Sequence, residues 1–156
     1  MSTEKESPVK TLIMMVGLPR SGKTTIARNL GHPIVCPDAV RFAIHGQRYI
    51  SEAEAFVWPV TKAMVKALFL AGHDTVILDA TNTTKKRRAE WKNKKWVRKY
   101  WQVNTTAEEC KQRAINENDS EIIPVIARMA SEFEPITLDE HDDDECATVT
   151  KAEENK

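Results

Sequence analysis

Cysteine and histidine are scarce in this chain of 156 residues, which contains three cysteines and four histidines. The cysteines show neither C-x-x-C spacing nor the even number of a disulfide framework, a pattern typical of a reducing, cytoplasmic setting. The histidines are scattered without metal-ligand spacing. No apolar stretch approaches the roughly 20 residues that cross a bilayer, and the polar N-terminus has no signal-peptide pattern. We therefore expect neither a disulfide scaffold, nor a histidine metal centre, nor a membrane partner.

The chain also has no net charge, because 23 cations balance 23 acids, but the two signs are separated along the sequence. Residues 83–99 contain nine cations and one acid, whereas residues 131–150 contain eight acids and neither lysine nor arginine. An acidic segment so poor in apolar residues is typical of a solvated, disordered tail. We expect one domain over residues 1–138 and an acidic tail over residues 139–156 that is dispensable for folding.

A glycine-rich loop is present at residues 17–24, where GLPRSGKT has the G-x-x-x-x-G-K-[ST] spacing of a phosphate-binding loop. An apolar run at 12–16 precedes it and a helical pattern follows it, the strand–loop–helix context that this motif needs. Lys23 is expected at the β- and γ-phosphates and Thr24 at Mg²⁺, so the predicted cofactors are a nucleoside triphosphate, ATP, and Mg²⁺. The predicted nucleotide contacts are Gly17, Leu18, Pro19, Arg20, Ser21, Gly22, Lys23, Thr24 and Thr25.

Apolar segments of strand length alternate with helical patterns along the chain. Strands are predicted over residues 12–16, 33–36, 75–78 and 97–103. Helices are predicted after the glycine-rich loop and over residues 51–71, 85–95, 106–115 and 124–133. The apolar residues at helical spacing in the 51–71 helix are Phe56, Val60, Met64 and Leu68. This alternation predicts an α/β fold with a parallel sheet of about four strands and helices on both faces.

The carboxyl ends of the predicted strands narrow the class of phosphate-loop protein. Gly17, Asp38 and Asp79 fall at such ends, where ligands of parallel sheets bind, and Asp79 occupies the place of the acid that holds Mg²⁺. Ala80 follows it, instead of the glutamate with which motor ATPases activate water. The sequence has no N-K-x-D motif for guanine and is too short for the extra helical domain of ring-forming ATPases. A small kinase is the remaining interpretation.

A kinase needs a base beside the acceptor hydroxyl and cations on the transferred phosphoryl group. Asp38 is the candidate base, and Arg41, one helical turn later, points the same way if a helix begins there. The alternative for Asp38 is a simple helix cap after Pro37. Arg113 and Arg128 are candidate lid cations, and each could equally be a solvated helix residue.

Four segments together resemble the phage-type polynucleotide 5′-hydroxyl kinases and the small P-loop kinases close to them. They are GLPRSGKT, P-D-x-x-R from residue 37, L-D-A-T-N from residue 78 and K-R-R-x-x-W from residue 86. The resemblance covers residues 12–133. It implies a P-loop kinase core with ATP entering one end of a cleft and the 5′-hydroxyl of a nucleic acid entering the other. It also implies a cytoplasmic location, the host cytoplasm if the chain is phage-encoded.

The resemblance implies roles residue by residue. Lys23 and Thr24 would bind phosphate and metal, Asp38 would be the general base, and Arg41 would contact the acceptor's phosphate. Asp79 would lie beside metal and acceptor. The first of two lid arginines corresponds to Arg113, whereas Asn118 stands at the place of the second and Arg128 is the alternative.

The acceptor stays open between two classes. A DNA or RNA 5′-end, or a modified base within DNA, would be attracted by the cations of residues 85–99. Aromatic residues among them could stack on bases or belong to the core; they are Trp91, Trp96, Tyr100 and Trp101. A small molecule, such as a nucleoside, a sugar or a drug, is the second class. A binding module without transfer would require an inert Asp38.

Overall fold

The computed structural model describes residues 8–143 of the chain. Its strands are β1 (Thr11–Val16), β2 (Ile34–Val35), β3 (Thr75–Leu78) and β4 (Val97–Gln102). Its helices are α1 (Lys23–Asn29), α2 (Pro37–His45), α3 (Glu54–Leu70), α4 (Lys85–Ala89), α5 (Ala107–Asn116) and α6 (Ile123–Glu132). Single turns of 3-10 helix lie at Ser51–Ala53, Ser120–Ile122 and Leu138–Glu140. The strands pair in parallel in the order β2-β3-β1-β4, which confirms the predicted α/β fold.

Strand β1 lies inside the sheet and sends alternate side chains to its two faces, as the pleat dictates. Leu12 and Met14 pack with Val65 of α3 on one face. Met15 packs with Ala27 of α1 on the other face. Burying a leucine, methionine or valine side chain in this way contributes about 1.5–3 kcal/mol of transfer free energy. The two clusters fix β1 between α1 and α3, and so fix the loop that follows β1 at the carboxyl edge of the sheet.

The buried face of α3 differs by one residue from the predicted apolar spacing. Its buried residues are Val57, Thr61, Val65 and Phe69. Phe56, Val60 and Met64 are exposed, and Leu68 is the member of the predicted set that packs against the core. Two neighbouring registers of this helix are apolar, so spacing alone does not choose between them. Thr61 interrupts the true register, and its hydroxyl is satisfied by donating to the Val57 carbonyl at 2.7 Å.

The basic helix predicted over residues 85–95 ends at Ala89. The chain must then return to the amino edge of the sheet to begin β4, and Trp91 and Trp96 anchor this return in the core. The Trp96 indole donates to the Trp91 carbonyl at 2.9 Å and stacks on Phe69 with ring centroids 5.4 Å apart. These two tryptophans are therefore core residues, the second of the two interpretations that the sequence left open.

The predicted tail boundary at residue 138 is wrong for residues 139–143. Arg88 is fully buried, and its guanidinium donates to Glu140 at 2.7 Å. Arg98 donates through two nitrogens to the carboxylate of Asp142, at 2.9 and 2.8 Å. Buried guanidiniums require compensating charge, and these two acids supply it. The remainder of the predicted tail, residues 144–156, lies outside the described residues.

Candidate active site

The predicted phosphate loop connects β1 to α1 at the carboxyl edge of the sheet. A Cβ at Gly17 would lie 2.9 Å from the Ser21 hydroxyl and 3.0 Å from the Val103 carbonyl, so this position has room only for glycine. Gly22 has φ 101°, in the left-handed region that glycine adopts without strain. The nine predicted nucleotide contacts thus form one continuous loop and the first turn of a helix, a geometry that suits anions.

Lys23 folds back over this loop. Its ammonium donates to the Leu18 carbonyl at 2.6 Å and to the Ser21 hydroxyl at 3.4 Å. Burial lowers the pKa of Lys23, and the carboxylates of Asp79 and Asp38 oppose that shift. Both acids are therefore electrostatic neighbours of the same ammonium.

Thr24 and Asp79 meet beside the loop. The Thr24 hydroxyl donates to Asp79 Oδ2 at 2.7 Å, and Asp79 is buried. A hydroxyl and a carboxylate are hard oxygen ligands that suit Mg²⁺, which commonly keeps waters and phosphate oxygens as its other ligands. Within residues 8–143 no group of three or more His, Cys, Asp or Glu could hold a metal on its own. The pair fits Mg²⁺ that arrives with a nucleotide.

Asp38 lies in the first turn of α2, and Cys36 is the N-cap, so Asp38 is not the cap of this helix. Its side chain is 69% exposed, and its Oδ1 accepts a bond from Arg41 at 2.7 Å. Glu54, at the start of α3, grips the other edge of the Arg41 guanidinium at 2.7 and 3.0 Å. Arg41 holds the pKa of Glu54 below its ordinary value. Nothing in the sequence pairs Glu54 with Arg41, because the contact joins two helices.

Trp58, one turn beyond Glu54 on α3, joins the cluster formed by Asp38, Arg41 and Glu54. Its indole nitrogen donates to Glu54 at 3.1 Å. The guanidinium of Arg87 lies 3.8 Å from the Trp58 ring centroid, and that of Arg41 lies 5.7 Å from it. Such cation–π contacts contribute about 0.5–1 kcal/mol each at exposed sites. This cluster therefore consists of paired charges around one aromatic ring.

Of the lid candidates, Arg113 lies over the phosphate loop. Its Nη1 donates to the Arg20 carbonyl at 3.1 Å and would be 3.6 Å from a Cβ at Gly22. Arg128 is exposed on α6. Asn118 has φ 57° and turns the chain after α5, so that the next residue, Asp119, faces the loop.

Asp119 joins three parts of the molecule, a contact that the sequence did not suggest. Its Oδ2 accepts from Arg20 of the phosphate loop at 2.5 Å. Arg48, from the segment between α2 and α3, donates to both oxygens at 2.7 and 2.6 Å. The hydrogen bonds from Arg48 and then Arg20 hold the pKa of Asp119 far below its ordinary range. No local sequence pattern indicates Asp119, because its partners Arg48 and Arg20 lie 71 and 99 residues away along the chain.

A cavity of about 250 Å³ flanks the first residues of the phosphate loop. It lies between the loop, the chain that leaves β4, and the end of α6; its lining includes Gly17, Leu18, Val103, Asn104, Thr105 and Phe133. No helix of the described residues is long and apolar enough to cross a membrane. The site therefore combines an anion-binding loop, a carboxylate beside a hydroxyl, a second exposed carboxylate and an adjacent cavity.

Comparison with known proteins identifies the family of this chain. The family model AAA_33, described as an AAA domain, matches residues 12–136. The chain belongs to this family. No curated protein sequence matches this AAA domain.

Solved structures share the fold of this AAA domain. The structure of a Pnkp1/Rnl/Hen1 complex aligns at a TM-score of 0.62 and 25% identity, over 71% of this chain and 41% of the other. A sugar kinase from Janibacter sp. aligns at 0.62 and 20% identity, over 86% and 83% of the two chains. Kti12 of Chaetomium thermophilum, in complex with ADP-AlF3, aligns at 0.54 and 21% identity, over 81% of each chain. The AAA domain thus spans less than half of the first of these relatives, and its fold is that of P-loop kinases.

Proposed function

We propose that this AAA domain is an ATP-dependent kinase that transfers the γ-phosphate to a hydroxyl of a nucleic acid, with the 5′-hydroxyl of a polynucleotide as the favoured acceptor. The observation that carries the kinase assignment is the exposed carboxylate of Asp38, held by Arg41 in the same electrostatic neighbourhood as Lys23 and Asp79. A proton acceptor beside a phosphate loop is what phosphoryl transfer to a hydroxyl needs.

In this proposal the residues of the site divide the work. Lys23 and Arg113 neutralise the phosphates, and Mg²⁺ held by Thr24 and Asp79 would offset charge on the β- and γ-oxygens. The acceptor oxygen forms a bond to the γ-phosphorus while the bond to the β–γ bridging oxygen breaks. The acceptor proton passes to Asp38 Oδ2, since Oδ1 accepts from Arg41. ADP leaves with the electron pair of the broken bond.

The nucleic-acid acceptor rests on fewer residues than the charge pattern suggested. Arg88 and Arg98 are buried structural cations, and the rings of Trp91 and Trp96 lie in the core. What favours the polymer is the set of exposed lysines in this segment and the sequence resemblance; the exposed residues are Lys85, Lys86, Lys92, Lys94, Lys95 and Lys99. Lysines that meet phosphates supply sequence-independent attraction.

A small-molecule acceptor is the second candidate. Burial of Trp91 and Trp96 removes two of the four aromatic rings that base stacking could use, and this observation favours a small acceptor. The remaining two are Tyr100, whose hydroxyl donates to the Glu140 carbonyl at 3.1 Å, and the exposed Trp101 on β4.

A transfer screen tests the proposal. The purified chain is incubated with ATP labelled at the γ-phosphate and with 5′-hydroxyl oligonucleotides, hydroxymethylated DNA, nucleosides and sugars. Label on the oligonucleotide 5′-end supports the proposal, label on hydroxymethylated DNA keeps the kinase with a modified-base acceptor, and label on a nucleoside or sugar selects the small-molecule alternative. Hydrolysis with no labelled acceptor contradicts it.

Lys23→Ala is the matched loss-of-function variant for this screen. We expect it to abolish transfer, because its ammonium is the buried cation of the phosphate loop. Lys66→Ala, an exposed lysine on α3, is the control and is expected to retain the parent rate. Turnover by Lys23→Ala within about tenfold of the parent would remove the phosphate-loop assignment, since this residue is asked to supply far more than 1.4 kcal/mol.

A further inference from the structure

The carboxylate of Asp119 connects three segments of the candidate site. Arg20 belongs to the phosphate loop, and Arg48 follows the helix that carries Asp38. Asp119 itself belongs to the connection between α5 and α6, next to the helix that carries Arg113. One side chain therefore links the phosphate loop, the segment that follows α2, and the connection between α5 and α6. The side chain of Asp119 is 12% exposed, so the carboxylate end of this link is largely shielded from water.

The backbone at Arg20 gives this link a bearing on nucleotide binding. Arg20 has φ 67°, a left-handed conformation that residues with a Cβ adopt rarely. Such conformations persist where the surroundings determine them, and they concentrate at functional sites. Here the surroundings are ionic: the Arg20 guanidinium pairs with Glu117 and Asp119, and its carbonyl accepts from Arg113. Asp119 thus helps to fix the shape of the loop that is to hold phosphate.

The same cluster has more cationic donors than its acids use. Arg20 pairs with Glu117 and Asp119, Arg48 pairs with Asp119, and Asp38 and Glu121 are further electrostatic neighbours of Arg48. A guanidinium has five N–H donors, and Arg48 spends one from each terminal nitrogen on Asp119. The Arg48 side chain is 44% exposed, so its other donors are within reach of a ligand. A cationic, partly exposed pair beside a phosphate loop matches the chemistry of a phosphoryl group.

We propose that Arg20 and Arg48 form an anion-binding pair for the terminal phosphate of the nucleotide, and that Asp119 is the positioning residue that holds the pair in place. The inference rests on the proposed nucleotide-dependent transfer and assigns its terminal-phosphate contacts. Asn118, which stands at the place of the second lid arginine, carries no charge. In this proposal Arg48, from the segment between α2 and α3, supplies a cation instead.

Equilibrium binding separates this role from a structural one. We expect Arg48→Gln to weaken binding of β,γ-methylene-ATP about tenfold and binding of ADP less than about twofold, because only the former carries a terminal phosphate in this position. Asp119→Asn is expected to change the two affinities in the same unequal way, since the amide holds two guanidiniums less firmly than a carboxylate. Asp119→Glu, which restores the charge, is expected to recover part of the loss.

Matched controls are available in the same chain. Arg28→Gln removes an exposed arginine at the end of α1, and Glu132→Gln removes an exposed acid at the end of α6. Both are expected to bind each nucleotide as the parent does. Circular dichroism and Tm check the fold of every variant. If Asp119→Asn fails to fold, the half-exposed Arg48 still carries the test.

Two results would overturn the inference. Equal losses for β,γ-methylene-ATP and ADP, with a lowered Tm, would make the cluster a structural tie. Tighter binding by Asp119→Asn would make Asp119 a competitor of the phosphate for the arginines. Lys23→Ala distinguishes these failures from failure of the kinase proposal. If Lys23→Ala loses nucleotide and Arg48→Gln keeps it, only the arginine pair is rejected; if Lys23→Ala binds nucleotide normally, the proposed function is rejected as well.

Discussion

At the scale of single residues, the carboxylate of Asp38 is exposed to solvent and its orientation is fixed by a hydrogen bond. The bond from Arg41 orients it, and Arg41 is itself gripped by Glu54 along its other edge. Bidentate pairs of this kind are among the stronger ionic contacts of proteins. Removing the charge of Asp38 therefore leaves Arg41 anchored, so chemistry and fold can be tested separately.

Asp38→Asn should lower kcat by about 10²–10⁴ and leave ATP affinity nearly unchanged, because the amide keeps the size of the side chain and removes the base. Steady-state kinetics and nucleotide binding measure the two effects. The control is Asp74→Asn, an exposed acid whose bond to Lys10 at 3.3 Å is a weak surface pair. If ATP binding collapsed in Asp38→Asn, the residue would have to be a metal or structural ligand.

The residues of the site differ in how far sequence reveals them. The phosphate loop was predictable because its geometry is set by neighbours in sequence: two glycines, a lysine and a threonine. Asp79 was predictable because it follows an apolar strand. Glu54, Arg48 and Asp119 were not, because each acts through a partner on another element, and no local pattern encodes a contact across 13 or 71 residues.

At the scale of elements, the basic segment runs between opposite edges of the sheet. Lys85 and Lys86 begin α4, just after β3 has ended at the carboxyl edge. Lys92 and Lys95 precede β4, whose first residue is level with Thr11 at the amino edge. Strands of four to six residues separate the edges by about 13–20 Å. The two lysine pairs cannot serve one short acceptor equally.

Lys85→Gln/Lys86→Gln should therefore weaken oligonucleotide binding and flatten the slope of log affinity against log salt by up to about 0.7 per phosphate contact. The matched double variant Lys92→Gln/Lys95→Gln should leave the slope unchanged. Binding titrations over a range of salt concentrations measure both. Equal slopes in both variants and the parent would leave the segment as solvated surface and favour the small-molecule acceptor.

The elements show the same division between local and tertiary information. Strand positions were predictable from apolar runs, because a buried parallel strand needs apolar side chains on both faces. The face of α3 and the length of α4 were not. In α3 two registers are apolar, and in α4 the burial of Trp91 and Trp96 overrides a sequence that is otherwise suited to a longer helix.

At the scale of the whole molecule, two buried arginines depend on the last described residues. Arg88 reaches Glu140 and the Asn82 and Glu134 carbonyls, at 2.7, 2.9 and 2.8 Å. Arg98 reaches Asp142 and also the Arg88 carbonyl, at 2.9 Å. The sequence pattern of acids without apolar residues favoured a solvated tail because it does not reveal that the partners are buried.

Ending the chain after Leu138 should lower the stability substantially, because a buried ion pair that loses one partner costs about 3–5 kcal/mol. Ending it after Asp143 keeps both carboxylates and is the matched control, with the Tm of the parent expected. Thermal denaturation followed by circular dichroism compares the three chains. Equal Tm values for the two truncations would show that the acids are not needed by the fold.

The same dependence sets an order of events during synthesis. Residues 8–138 supply all the strands and α-helices that the structure describes, yet the acids that pair with Arg88 and Arg98 are added by the ribosome 52 and 44 residues later. Until those acids emerge, a closed sheet would hold two uncompensated cations. We therefore expect the domain to complete its folding only after both carboxylates have been synthesised, because a buried guanidinium without its acid is strongly destabilising.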